Sequence, residues 1–63
     1  MKNKIKEFRT NDNLTLEYVS YVSKISISYL NQLESGKKTN PSYKVMNNIS
    51  HALEKPINEV FFL

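Results

Sequence analysis

The residues best equipped for chemistry in this chain are amides, hydroxyls and lysines. Ile27, Ser28, Asn31 and Gln32 share one side of a helical stretch, away from Leu30 and Leu33. An Asn or Gln amide can donate and accept at once, so it can pair bidentately with the N6 and N7 edge of adenine. A serine hydroxyl suits a base edge or a phosphate, and an isoleucine suits a thymine methyl. Lys37 and Lys38 follow in a polar stretch ending at Asn40. Catalytic sets are not in evidence. His51 is the lone histidine and reads as a surface residue, cysteine is absent, and no carboxylate pair, nucleophile–histidine set or metal-ligand cluster stands out. The expectation is a non-enzyme without cofactor or metal.

The totals agree with a binding module. The chain has 63 residues and a net charge of +3. A domain of this size buries only about 60% of the surface its unfolded chain exposes, which leaves little room for a cleft backed by a second layer. The charge favours an anionic partner without identifying it. No stretch approaches the roughly 20 apolar residues of a membrane span. Met1-Lys2-Asn3-Lys4 lacks the apolar run of a secretion signal. A cytoplasmic protein is expected, with residues 1–63 forming one domain. Because no further segment follows Leu63, control is expected from concentration, a partner or turnover rather than from a sensor domain.

These side chains must be positioned by short helices. Ile5 and Phe8 give the first a helical spacing over about residues 2–12, and Asn11-Asp12-Asn13 ends it. Thr15 suits the N-cap of a second helix, Glu17 sits in its first turn where the helix dipole favours an anion, and Val19 and Val22 share one side. Ser26 suits the cap of a third helix carrying Ile27, Leu30 and Leu33, closed at Ser35-Gly36. Pro41-Ser42 opens a fourth, with Val45, Met46, Ile49, Ala52 and Leu53 as its apolar face. Lys55-Pro56 stops it, and a short fifth holds Ile57, Val60 and Phe61. No alternating pattern competes, so the expected fold is all-α, with five short helices and no sheet. The second and third helices, over about residues 15–35, are joined by only about three residues, which is the spacing of a helix-turn-helix whose second helix reads the major groove.

The run Gln32-Leu33-Glu34-Ser35-Gly36-Lys37-Lys38, followed by Asn40-Pro41-Ser42 and preceded by Leu14-Thr15, Ile25-Ser26 and Ser28-Tyr29-Leu30, resembles the Xre/Cro family of phage-repressor-like helix-turn-helix domains. The likeness spans residues 5–61. It implies a lambda-repressor-like fold and a homodimeric regulator, most simply a repressor, on a palindromic operator in double-stranded DNA. The alternative is an antitoxin or other protein-interaction module that also binds DNA. The resemblance implies base reading by Ile27, Ser28, Asn31 and Gln32. It implies phosphate contacts by Thr15, Leu16 and Glu17 at the second helix start and by Lys37, Lys38 and Asn40 in the loop. It assigns Arg9 to a structural pair with Glu34, a geometry the planar guanidinium suits. Tyr29 is open to two readings, a phosphate bond or packing on the fourth helix. Tyr18 and Tyr21 are likewise open, to half-buried packing or a partner contact.

Three positions depart from the family pattern. Leu16 stands where a glutamine is usual. Lys24 stands at a turn position usually held by glycine, and a left-handed backbone there costs a non-glycine residue roughly 1 kcal/mol. Ser23 stands at an apolar core position, so Val22 is expected to rotate inward and shift the register. The apolar end Val60-Phe61-Phe62-Leu63 exceeds what the core needs and reads as the dimer interface, or else folds back over the domain.

Overall fold

The computed structural model describes residues 1–62. Five helices follow in order: α1 (Ile5–Asn11), α2 (Leu16–Ser23), α3 (Ile27–Glu34), α4 (Tyr43–Leu53) and α5 (Ile57–Val60). They are flanked by two short strands, β1 (Lys2–Asn3) and β2 (Phe61–Phe62).

Local chemistry starts three of the helices. Thr15, Ser26 and Ser42 each hold extended backbone, and each side-chain oxygen accepts the backbone N–H three residues on, from Tyr18, Tyr29 and Val45 respectively. Such a bond satisfies one of the donors a helix start leaves unpaired. The ends are equally local. α1, α2 and α4 are each followed by a left-handed residue, Asn13 (φ 58°), Lys24 (φ 60°) and Glu54 (φ 57°). In each case the next N–H reaches back five residues: Leu14 to Arg9, Ile25 to Ser20 and Lys55 to Ser50. This closes the last turn and caps a carbonyl. Asparagine tolerates that conformation well, whereas Lys24 and Glu54 hold it at a cost of about 1–2 kcal/mol each. α3 ends instead at Gly36 (φ 84°), which accepts the conformation without strain.

Packing joins one face from every helix. Ile5, Val19, Leu30, Leu33, Ile49, Ala52, Leu53, Val60 and Phe61 form the buried core, with Phe8, Leu14, Leu16, Ile25, Tyr29, Val45, Met46 and Ile57 packed around it. Each fully buried large apolar side chain contributes roughly 1.5–3 kcal/mol to closing this small core, while Met1, Tyr18, Tyr21, Val22, Ile27 and Tyr43 stay outside it.

The structure corrects four expectations. First, β1 pairs antiparallel with β2, Lys2 opposite Phe62 and Asn3 opposite Phe61, so the fold carries a small two-stranded ribbon. The first helix accordingly begins at Ile5, and Phe61 belongs to a strand. Second, the register of α2 does not shift. Ser23 is buried and Val22 stays 38% exposed. The Ser23 hydroxyl donates to its own Val19 carbonyl, which removes the cost of burying it. Third, Val60 and Phe61 are 0% and 6% exposed. They fold back into the core of their own chain and present no surface for a dimer contact. Phe62 is half-buried, and Leu63 lies outside the described residues. Fourth, Tyr21 is not half-buried but 84% exposed, with Tyr18 at 46%.

Candidate nucleic-acid interface

The turn between α2 and α3 is braced from three directions. The Ile25 N–H donates to the Ser20 carbonyl, and the Ser20 hydroxyl donates to the Ile25 carbonyl. Asn48 reaches over from α4 and donates its side-chain amide to the Ser23 carbonyl at 3.3 Å. Ser20 and Asn48 are positioning residues that sequence reading missed. Neither carries a local signal, since each bond depends on a backbone atom brought near by the turn or by another helix.

A second brace fixes the far end of α3. The Arg9 guanidinium donates through Nε to Glu34 Oε2 at 2.8 Å and through Nη2 to Oε1 at 3.1 Å, while Nη1 donates to the Leu14 carbonyl at 2.9 Å. The two side chains are only 13% and 5% exposed. The side-chain hydrogen bond from Glu34 raises the guanidinium above its usual pKa; burial opposes this, and the charges of Glu34 and Glu17 add to it. Arg9 is therefore charged at any working pH. Its pairing ties α1, the α1–α2 loop and α3 together and leaves no free arginine for a ligand.

With α3 held at both ends, its outward side is presented to solvent. Ser28 and Asn31 are exposed, Ile27 is 45% exposed, and Gln32 is half-buried. The loop after α3 folds back on this helix, because the Lys38 N–H donates to the Gln32 carbonyl at 3.1 Å. Lys37, Lys38 and Asn40 on that loop are all exposed. Tyr29 is half-buried and packed against the core, which accounts for its ring without a ligand.

At the start of α2, Thr15 and Glu17 are exposed. The Thr15 side chain accepts the Tyr18 N–H, and the N–H groups of Leu16 and Glu17 stand at the first turn with no partner inside the helix. Leu16 is half-buried against the core, so its side chain packs and only its backbone can serve an anion.

Electrostatics favour the same face. Residues 24–44 carry Lys24, Lys37, Lys38 and Lys44 against one acid, Glu34, and Arg9 neutralises that acid. These lysines lie in the turn before α3 (Lys24), in the loop after it (Lys37 and Lys38) and in the first turn of α4 (Lys44). Among the described residues, no group of three or more His, Asp or Glu could hold a metal ion, and no helix is long and apolar enough to cross a membrane.

Two tightly joined helices, the second with an exposed polar side and with lysines in the turn before it and the loop after it, define the class. A helix-turn-helix domain family model matches residues 3–62, and the chain belongs to this family, in its Xre-like branch. Among solved structures, the clp gene regulator ClgR from C. glutamicum is similar, with a TM-score of 0.77 and 30% sequence identity over 84% of this chain and 68% of that one. No curated protein matches the chain at a significant level.

Proposed function

We propose that this protein is a sequence-specific, double-stranded-DNA-binding transcriptional regulator, acting as a homodimeric repressor on a palindromic operator in the cytoplasm, with residues 1–63 as its one DNA-binding domain. The observation that carries the reading is the outward side of α3. Ser28, Asn31 and Gln32 face away from the core on a helix whose other side, turn and far end are all tied down. Such a helix can enter the major groove without losing its support.

In this reading Gln32 and Asn31 take bidentate bonds to adenine edges, Ser28 bonds a base or phosphate, and Ile27 covers a thymine methyl. Lys37, Lys38 and Asn40 position the protein on the phosphate backbone, as do Thr15 and the Leu16 and Glu17 N–H groups at the other end of the motif. With Leu16 packed inward, no side chain at that position links the backbone contact to Gln32. The name of ClgR, a gene regulator, supports a regulatory role for this chain. Dimerisation supplies what one small domain lacks, because a two-fold pair reads two half-sites about 34–36 Å apart. Val60 and Phe61 are spent on the core, so of the described apolar residues at the C-terminal end only Phe62 is left to such a seam.

The test is fluorescence anisotropy against duplex DNA from upstream of the protein's own gene, beside a scrambled duplex, across several salt concentrations. Tight, salt-sensitive binding to the first, with the preference lost in Gln32→Ala, is expected. Equal weak binding to both duplexes, indifferent to that substitution, contradicts the operator reading.

One observation favours a second reading, an antitoxin-like module that also holds a protein partner. Tyr18, Tyr21 and Val22 leave an aromatic patch on α2 that the core does not use. Tyr21→Ala is expected to leave DNA affinity unchanged in either case. Loss of a stable complex with the product of the neighbouring gene in that variant distinguishes the second reading.

A further inference from the structure

The helix-turn-helix ends at the loop of Lys37 to Asn40, but the basic surface does not. A hollow of about 470 Å³ lies between β1 and the end of α3, lined by residues that include Lys2, Lys4, Gly36, Lys38 and Thr39. We propose that this hollow is an additional phosphate-binding site, in which Lys2 on β1 joins Lys38 and Thr39 on the loop to hold a backbone phosphate beyond the helix-turn-helix contacts. The inference rests on the DNA-binding reading and extends it to residues outside the motif.

Four observations carry it. First, β1 is fixed in place. The Asn3 side-chain amide donates to the Leu33 carbonyl at 3.0 Å, its oxygen accepts the Ile5 N–H at 3.1 Å, and the strand pairs with β2. Lys2 is thus held beside the loop rather than carried on a free tail. Second, the lysines are not spent on the described acids. Among the described residues the single salt bridge is Arg9–Glu34, so neither Lys2 nor Lys38 is paired with a described carboxylate. Lys4, beyond the strand, stands with its ammonium 5.7 Å from the Phe62 ring centroid. Third, the negative features of the hollow are reduced. Glu34 also lines it, and its carboxylate is held by Arg9. Of the last four carbonyls of α3, whose dipole would repel an anion, three are capped: Asn31 by the Ser35 N–H, Gln32 by the Lys38 N–H, and Leu33 by Gly36 and Asn3. Fourth, the floor is open. Nothing lies within 4 Å of where a Cβ on Gly36 would be, so a bulky anion can approach the backbone there.

The chemistry recognised is a phosphodiester on a duplex, held by point charges, without sequence preference. Neutralising one phosphate changes the slope of log affinity against log salt by about 0.9. The experiment measures that slope by anisotropy on the operator duplex and on a scrambled duplex for the full chain, for Lys2→Ala, and for Lys6→Ala as a control on the exposed side of α1. Circular dichroism first confirms that each variant folds as the parent does. Lys2→Ala is expected to shallow the slope by about 0.9 on both duplexes, so that its deficit relative to the parent changes about three- to fourfold between 50 and 200 mM salt. Lys6→Ala is expected to keep the parental slope. An unchanged slope in Lys2→Ala, or an equal loss in Lys6→Ala, overturns the proposal while leaving the DNA-binding reading intact. A parent chain with no salt-dependent affinity for either duplex overturns both.

Discussion

The two sides of α3 do different work with the same eight residues. The inner side gives Leu30 and Leu33 to the core and Glu34 to an ion pair with Arg9. The outer side gives Ser28, Asn31 and Gln32 to solvent or to a ligand. The inner residues are specified by packing, where any change of volume is felt. The outer ones contribute little to stability and are free to specify a partner. The helix therefore separates folding from recognition across its own diameter of about 10–12 Å.

That separation can be broken most forcefully at Leu30, which is fully buried. Leu30→Ala is expected to destabilise by about 2–5 kcal/mol in urea titration, enough to unfold much of a domain this small. A loss under 1 kcal/mol would mean that the site collapses around the gap. Arg9→Ala comes next. It leaves the nearly buried Glu34 carboxylate uncompensated, and a stability loss of about 2 kcal/mol is expected, below the 3–5 kcal/mol of a fully buried pair because Arg9 is 13% exposed and its removal admits water. DNA affinity should fall only in proportion to the unfolded fraction. A larger drop, at concentrations where the variant is folded, would place Arg9 on the ligand.

Gln32→Ala probes the other side. Its stability should change by less than about 0.5 kcal/mol, as for other surface positions, while discrimination between operator and scrambled duplex falls by about 1–3 kcal/mol in anisotropy. A stability loss of the size expected at Leu30 would assign this half-buried side chain to the core instead. The smallest effect is expected at the turn. Lys24→Gly relieves a left-handed lysine but loosens the unfolded chain, for a net gain of about 0.5–1 kcal/mol in thermal unfolding. Affinity at low salt should decline slightly with the lost charge.

Much of this was legible from residue order, and the parts that were share a cause. The caps at Thr15, Ser26 and Ser42 and the left-handed glycine at Gly36 are local devices, each complete within about four residues. The apolar spacing of Ile49, Ala52 and Leu53 marks the buried side of α4 for the same reason. The candidate site was readable as residue types on one helical side. What supports it was not: Asn3, Ser20 and Asn48 act on carbonyls made available only by the fold.

The misread positions divide along that line. Ser23 breaks the apolar pattern, yet its hydroxyl is satisfied by the carbonyl four residues back, so burial costs little and α2 keeps its register. Strands of two residues have no period to detect, and the partners Lys2 and Phe62 stand at opposite ends of the sequence. The apolar run at the C-terminus looked surplus because composition counts apolar residues without saying how many the core accepts. Residue order alone specifies the helices, the Thr15, Ser26 and Ser42 caps, the helix-turn-helix spacing and the charge of its loop, because short-range bonds and a 3.6-residue period are written in consecutive residues. It takes the folded chain to show that Val60 and Phe61 close the core, that Tyr21 remains in solvent and that β1 lies against the end of α3. Those outcomes depend on competition among distant surfaces for one small interior.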